Sequence, residues 1–418
     1  MLVKFWRKKL AMITQHRFGW VVLALTMAIG PGGLGRVFAG EGPRNVILMI
    51  GDGMGAEHLK AAGLFANGSA GSLFMETLPR QAMVATCPAY TVSAGDETKP
   101  AKITDSAAAA TAMATGRKVF NGVLSVALPG DGAPLKTVLE LAAAAGKRTG
   151  LVTTSYLTDA TPAAFAAHVK DRDMHPEIAV DFLKSSRPNV ILGGASKKKK
   201  EPLTQEDGRA AGYRVVSDRE GLRAAVKEGG EHLLGLFGPG PMCYEYDFVT
   251  KTRKDYDQLP HLSEMATAAL DLLGREPKGF FLMVEGACID KASHKNQLER
   301  SVYETLEFDK AVQKAAQWAA NRTDTLLIVT ADHETGGLST LKGRGKGRMP
   351  DVAWASSSHS GVNVRLFAMG AGSEAIAGLL DNTDIARLVL GTFTGPTRYT
   401  PPVTAVGGSA GDDGMKGD

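Results

Sequence analysis

Carboxylates and imidazoles recur in this sequence at spacings suited to holding divalent cations. Asp52 stands in Gly51-Asp52-Gly53-Met54-Gly55, Glu285 opens a run that continues to Asp290 and His294, Asp332 is followed at once by His333, and His359 lies 26 positions beyond His333. An isolated Asp-His pair or Asp-x-x-x-His spacing is more often a surface or capping arrangement than a ligand pair. Here the acidic segments each follow a short β-branched run, and His359 precedes another. In open α/β sheets, ligands bind beyond the carboxyl ends of the strands. Separate segments delivering oxygen and imidazole donors to one sheet edge describe a two-metal site. Cys87, Cys243 and Cys288 are the only cysteines and show no short pairing, so a metal here is held by oxygen and imidazole.

A candidate nucleophile begins an alanine-rich segment, Thr104-Asp105-Ser106-Ala107-Ala108. Alone, it reads as a helix N-cap. Beside cations, the free amides and partial positive charge of a helix terminus would stabilise both a serine alkoxide and a phosphate attached to it. An unassisted hydroxyl is a weak nucleophile at neutral pH, and a divalent cation is one route to activating it. A phosphoryl group also suits a planar donor that stays charged, and Arg172, downstream of Asp159-Ala160-Thr161-Pro162-Ala163-Ala164, carries that fork. The rival reading of Gly51 to Ala56 is a dinucleotide-binding Gly-x-Gly-x-x-Ala turn. Asp52 opposes it, since its carboxylate would point into a pyrophosphate pocket.

The elements that must position these residues are strands predicted at 45–50, 81–86, 149–154, 189–192, 280–284, 325–330 and 363–369. Helices are predicted at 106–115, 135–145, 262–273 and 298–320. Their alternation implies an α/β, three-layer α/β/α fold with a large, mostly parallel central sheet and the metal site at the C-terminal edge of the strands. Neither an internal repeat nor a heptad series is evident. Residues 342–348, rich in Gly, Lys and Arg, read as a mobile loop, 197–200 as a solvated lysine run, and 401–418 as a flexible Gly/Asp-rich tail.

The chain has 418 residues, 44% hydrophobic and 22% charged, ample for a large core. Lys4, Arg7, Lys8, Lys9 and Arg17 precede a short apolar run, and Ala39 follows it. That pattern predicts a signal peptide over 1–39, shorter in its apolar part than a spanning helix, and one catalytic domain over 40–400. Loss of the leader removes those five cations and Arg36, taking the net charge from +4 to −2. The mature chain then has no electrostatic case for nucleic acid as a partner, and no stable membrane anchor is expected after cleavage.

Five segments together resemble bacterial alkaline phosphatases: Ile50 to Gly55, Thr104 to Ala108, Asp159 to Ala164, Val284 to His294, and Thr330-Ala331-Asp332-His333-Glu334. The resemblance implies an exported phosphomonoesterase, periplasmic or secreted, that carries two Zn2+ and one Mg2+. One zinc would be held by Asp290, His294 and His359, the other by Asp52, Asp332 and His333 beside Ser106, and magnesium by Asp52, Thr161 and Glu285. Arg172 would bind phosphate, while Asp159 and Lys291 would stand behind the magnesium ligands, as in the enterobacterial type. The implied reaction is a double displacement on phosphate monoesters through a phosphoserine at Ser106. Many members insert a longer subdomain between the positions of His333 and His359 that serves their dimer interface, so a homodimer is left open. A sulfatase would need Cys/Ser-x-Pro-x-Arg, which Cys87-Pro88-Ala89-Tyr90-Thr91 does not fit. Diesterase activity is left open as a side reaction, mutase activity suits an export signal poorly, and a non-catalytic binding protein would have no need to retain Ser106.

Overall fold

Unbroken apolar runs build the centre of the sheet. Every residue of Asn45–Gly51, Phe280–Gly286 and Thr325–Thr330 is buried, with no alternation along the strand, so these strands are covered on both faces. The computed structural model describes residues 42–89, 103–195, 203–238, 240–242, 244–252 and 256–394. The expected leader 1–39, the lysine run 197–200, Cys243 and the tail 401–418 lie outside the described residues.

The strands are β1 (Asn45–Gly51), β2 (Arg80–Ala85), β3 (Arg148–Tyr156), β4 (Val190–Gly194), β5 (Arg214–Val216), β6 (Leu233–Leu236) and β7 (Phe280–Gly286). They continue with β8 (Thr325–Thr330), β9 (Glu334–Thr335), β10 (Leu338–Lys342), β11 (Asp351–Trp354), β12 (His359–Ser360), β13 (Val364–Gly370) and β14 (Leu379–Asp381). Ten of them form one sheet in the order β14-β2-β13-β8-β1-β7-β3-β4-β6-β5. Only β13 runs against its neighbours, β2 and β8; all other pairings are parallel. Ile50 is level with both Glu285 and Thr330, so three central strands end together at one edge.

Helices cover both faces. Ala56–Asn67, Leu262–Leu273 and Leu298–Ala319 pack against one another on one side, and Ser106–Thr115, Val138–Ala144, Ala160–Ala166 and Asn382–Thr394 on the other, which makes three layers. The Ser106 helix is buried at every position. A helix apolar all round belongs in a core, and its alanines let neighbours approach closely. The helix predicted from 135 starts at Val138 instead, because Thr137 caps it: Thr137 Oγ1 accepts from Glu140 N at 3.1 Å and Glu140 Oε2 from Thr137 N at 3.0 Å. Strands β5, β6 and β14, of three or four residues each, are too short for a period to reveal them. Among the described residues no helix is long and apolar enough to cross a membrane.

Candidate metal and phosphate centre

Beyond β1 the chain turns at Gly53, whose φ of 71° and lack of a side chain both matter: a Cβ there would stand 2.7 Å from Thr335 Oγ1 and 2.9 Å from the Asp290 Cα. The turn is fixed by Gly53 N donating to Asp332 Oδ1 at 3.0 Å and by Thr335 N donating to Gly53 O at 3.1 Å. Glu285 lies inside β7 rather than after it, and accepts from Thr153 Oγ1 on neighbouring β3 at 2.5 Å. Asp290 sits in the helix Cys288–Ser293, and His294 closes that helix one turn later. His359 arrives on β12, which pairs with β9 so that Thr335 faces His359.

These segments produce two groups of ligand-competent atoms. Asp290, His294 and His359 form one, Asp52, Asp332 and His333 the other, with the atoms of each group within 4.8 Å of one another. In the first, Asp290 Oδ1 is 3.2 Å from His294 Nε2 and 3.6 Å from His359 Nε2. The far nitrogens are anchored on backbone carbonyls: His294 Nδ1 to Ser357 O at 2.7 Å, His359 Nδ1 to Thr104 O at 2.9 Å. Both Nε2 atoms therefore face inward, 3.1 Å apart. In the second group, His333 Nε2 stands 3.2 Å from Asp332 Oδ2, 3.6 Å from Asp52 Oδ1 and 3.2 Å from Ser106 Oγ. The His333 and His359 rings stack with centroids 3.6 Å apart, so the groups adjoin.

Ser106 is the first residue of its helix; the cap is Asp105, whose Oδ1 accepts from Ala108 N at 2.9 Å. Capping by the neighbour leaves the Ser106 hydroxyl to face His333. Asp105 Oδ2 also accepts from Arg172 Nη1 at 3.2 Å, while Arg172 Nη2 reaches Asp159 Oδ1 at 3.2 Å. Lys291 Nζ donates to Asp159 Oδ2 at 2.9 Å. Burial alone would raise the Asp159 pKa, yet Lys291 and Arg172 hold it well below the usual carboxylate range.

Among the metal-competent carboxylates the balance varies. Burial would raise the Asp290 pKa, yet His294, His333 and His359 hold it well below the usual range, whereas at Asp52 and Glu285 burial and neighbouring carboxylates outweigh Lys291. Burial first, then Asp332, Asp290 and Glu285, push Asp52 well above the usual range. Glu285 rises to about 7, through burial and the nearby Asp159. Burial lowers the His333 pKa, favouring the neutral ring that a metal ligand must be. Asp52 Oδ1 and Asp332 Oδ2 are buried without a hydrogen bond, although His333 is close. Thr161 Oγ1 is likewise buried without a partner, though near enough to Glu285 to favour its charged form. Uncompensated buried carboxylates cost several kcal/mol each, roughly. These orphaned oxygens fit divalent cations, with mixed oxygen and imidazole donors suiting zinc and an all-oxygen set, Asp52, Thr161 and Glu285, suiting magnesium.

Sequence reasoning missed Thr335, whose Oγ1 donates to Asp290 Oδ1 at 2.6 Å and lies 3.3 Å from His333 Nδ1. It also missed Thr153 and Ser155, the latter donating to Asp159 Oδ2 at 2.5 Å. Hydroxyls are too common for type or spacing to single them out. Cys288 stays outside both groups, buried against the Thr154 and Met242 carbonyls at 3.5 and 3.7 Å. A further group, Glu245, His261 and Glu307, is already satisfied: His261 Nδ1 meets Glu245 at 2.8 Å and Ser263 N donates to Glu307 at 2.9 Å.

A family model described as alkaline phosphatase matches residues 43–348. The alkaline phosphatase of Escherichia coli K12 is 33% identical over 401 residues, covering 82% of this chain and 84% of that protein. The streptomycin-6-phosphate phosphatase of Streptomyces griseus is 36% identical over 406 residues, covering 82% of this chain and 88% of that protein. The alkaline phosphatase structure from the Antarctic bacterium TAB5 superposes with a TM-score of 0.71 at 26% identity, covering 84% of this chain and 98% of that one. A mutant of the TAB5 enzyme holds magnesium in its M3 site.

Proposed function

The chain belongs to the alkaline phosphatase family and is a phosphomonoester hydrolase, and we propose that it is an exported, metal-dependent enzyme that works through a phosphoserine at Ser106. The observation that carries this reading is the approach of Ser106 Oγ to 3.2 Å from His333 Nε2, among the buried, unpartnered oxygens of Asp52 and Asp332.

On this reading Asp290, His294 and His359 hold one zinc, Asp52, Asp332 and His333 a second, and Asp52, Thr161 and Glu285 a magnesium. Bound there, the cations supply Lewis acidity and lower the pKa of the attacking oxygens. The protein's own share is positional. Asp105, by capping the helix, keeps Ser106 at a terminus whose free amides favour negative charge. Arg172, steadied by Asp105 and Asp159, offers its planar fork to two phosphoryl oxygens. Lys291 adds a second cation beside Asp159.

Ser106 Oγ attacks phosphorus, the ester oxygen leaves with the alcohol, and water then cleaves the Ser106 ester to release phosphate. Two in-line displacements retain configuration at phosphorus. Residues 1–39 serve as an export leader, with one catalytic domain over 40–400 and a tail over 401–418, and the product is released in the periplasm or outside the cell.

Steady-state assays on a phosphate monoester, with Ser106→Ala beside wild type and metal content measured on both, test the proposal. Loss of turnover with metals retained supports it. Full monoesterase activity in Ser106→Ala would remove Ser106 as the nucleophile.

A further inference from the structure

One buried imidazole belongs to neither ligand group. His58 is the third residue of the helix Ala56–Asn67 and only 1% exposed. Trp354 of β11 closes over it edge-on, with ring centroids 5.9 Å apart. Burial lowers the His58 pKa to about 4, against the pull of Asp290 and Glu57, so the ring is neutral at ordinary pH. A neutral imidazole has one donor and one acceptor, and a buried one needs a partner for each.

Both partners lie on segments that carry candidate metal ligands. Gly55 N donates to His58 Nδ1 at 3.2 Å, an amide shared with Gly53 O at 3.1 Å, inside the turn that follows Asp52. An amide only donates, so Nδ1 is the bare nitrogen and Nε2 carries the proton. That proton goes to Ser293 Oγ at 3.0 Å, at the end of the helix Cys288–Ser293, three residues after Asp290 and one before His294. Ser293 Oγ donates in turn to Ile289 O at 2.8 Å. The bonds therefore run one way, from the Gly55 amide through the ring to the Ile289 carbonyl. Returning a bond to the cap amide from this helix position is ordinarily the work of Glu or Gln, and it uses only the near nitrogen. The far nitrogen reaches across 235 positions of sequence. We propose that His58 is a positioning residue, a strut that ties the turn after Asp52 to the helix carrying Asp290 and His294 and so sets the spacing between the two metal-ligand groups. This inference rests on the metal-dependent reading above and adds to it what holds the two groups in register.

Zinc affinity of the full chain, read by competition with a chelator and set beside Tm, tests it. His58→Asn offers Gly55 an acceptor but stops short of Ser293, Ser293→Ala removes the far partner and leaves the cap, and His58→Gln is long enough to span to Ser293. His58→Asn and Ser293→Ala should each weaken zinc binding by about three- to tenfold, the net worth of one neutral hydrogen bond. Combined, they should lose no more than either alone, because they break one link. His58→Gln should regain most of the loss.

Unchanged zinc affinity in either His58→Asn or Ser293→Ala, whatever happens to Tm, overturns the strut, because the residue would then serve only packing and the cap. So do penalties that add in the double variant, since the two side chains would then act apart. Should His58→Asn not fold, Ser293→Ala decides alone, as it leaves both the ring and the cap in place. Wild type that binds no zinc would sink the metal-dependent reading and this one with it, whereas zinc binding that the variants leave unmoved sinks only the strut.

Discussion

Thr335 donates its hydroxyl to Asp290 at 2.6 Å, across the seam between the two ligand groups. The same oxygen sits 3.3 Å from His333 Nδ1, so one small side chain orients a carboxylate of one group and an imidazole of the other. Outer partners of this kind fix the direction of metal ligands and their loss usually costs about 10- to 100-fold in metal affinity. Thr335→Val keeps the shape and removes the hydroxyl. Its zinc affinity, read by competition with a chelator, should fall within that range while the fold is retained. Unchanged affinity would show that Asp290 needs no such support.

Arg172 should resist conservative replacement. Its fork spans Asp105 and Asp159 at 3.2 Å each, and an ammonium offers a point charge in place of a planar pair of donors. Arg172→Lys and Arg172→Ala should each lose about 10- to 100-fold in kcat/KM, as charge-assisted hydrogen bonds of about 1.5–3 kcal/mol imply. Inhibition by inorganic phosphate should weaken in parallel. Full activity in Arg172→Lys would mean that charge alone suffices.

Gly53 has no tolerable substitute. Gly53→Ala asks for a positive φ and brings a methyl to 2.9 Å from a backbone carbon of Asp290. The expected penalty is about 2 kcal/mol or more, visible as a lower Tm together with reduced metal content. An unaltered Tm would show that the turn relaxes freely.

Stability should carry a pH signature remote from the centre. Glu140 Oε2 lies 3.2 Å from His168 Nε2, and His168 Nδ1 faces the Ser125 carbonyl at 2.8 Å, so both ring nitrogens meet acceptors. Burial opposes charge on both partners. Even so, His168, the Thr137 amide and Lys136 bring Glu140 down to about 2, and Glu140 and Ser125 raise His168. The Glu140 contribution is complete above its ordinary 4.5 and is lost as pH falls toward 2. The His168 contribution is complete below its ordinary 6.5 and is lost as pH rises through the raised folded value. Glu140→Gln keeps the capping geometry and removes the charge, so its loss of stability, on the order of 1 kcal/mol and read as a lower Tm, should be widest between pH 4.5 and 6.5. A deficit independent of pH would assign the pair a purely steric role.

Chelation should affect folding as well as turnover. Asp52 and Asp332 keep buried oxygens without hydrogen bonds, so stripping divalent cations leaves those oxygens without a partner in a buried site. Chelator-treated protein should lose activity and melt at a lower temperature, with both restored by zinc and magnesium. Activity that survives exhaustive chelation argues against metal dependence.

What was legible beforehand follows from periodicity and charge. The strands carrying Asp52, Glu285 and Asp332 stand out because both sheet faces are buried, which makes their sequences continuous apolar runs. The candidate ligand residues stand out only together, because carboxylates and imidazoles gathered beside several such runs share one explanation where each alone would read as a cap or a surface group. Direction was not legible: nothing in the Val364–Gly370 segment says that it runs against its neighbours, since a buried strand has the same composition either way. The hydroxyls of Thr153, Ser155 and Thr335 were equally silent, because their role comes from a partner on another segment, 132, 4 and 45 positions away respectively.

The two-residue ribbon of β9 and β12 sets Thr335 opposite His359 and Glu334 opposite Ser360. Everything from 336 to 358 leaves and returns through that clasp, so the excursion is a cassette with its hinge already closed. Its outer part, β10 and β11, could change in length by evolution or by grafting, provided that Ser357, whose carbonyl holds His294 Nδ1, and the imidazole beyond the clasp keep their stations.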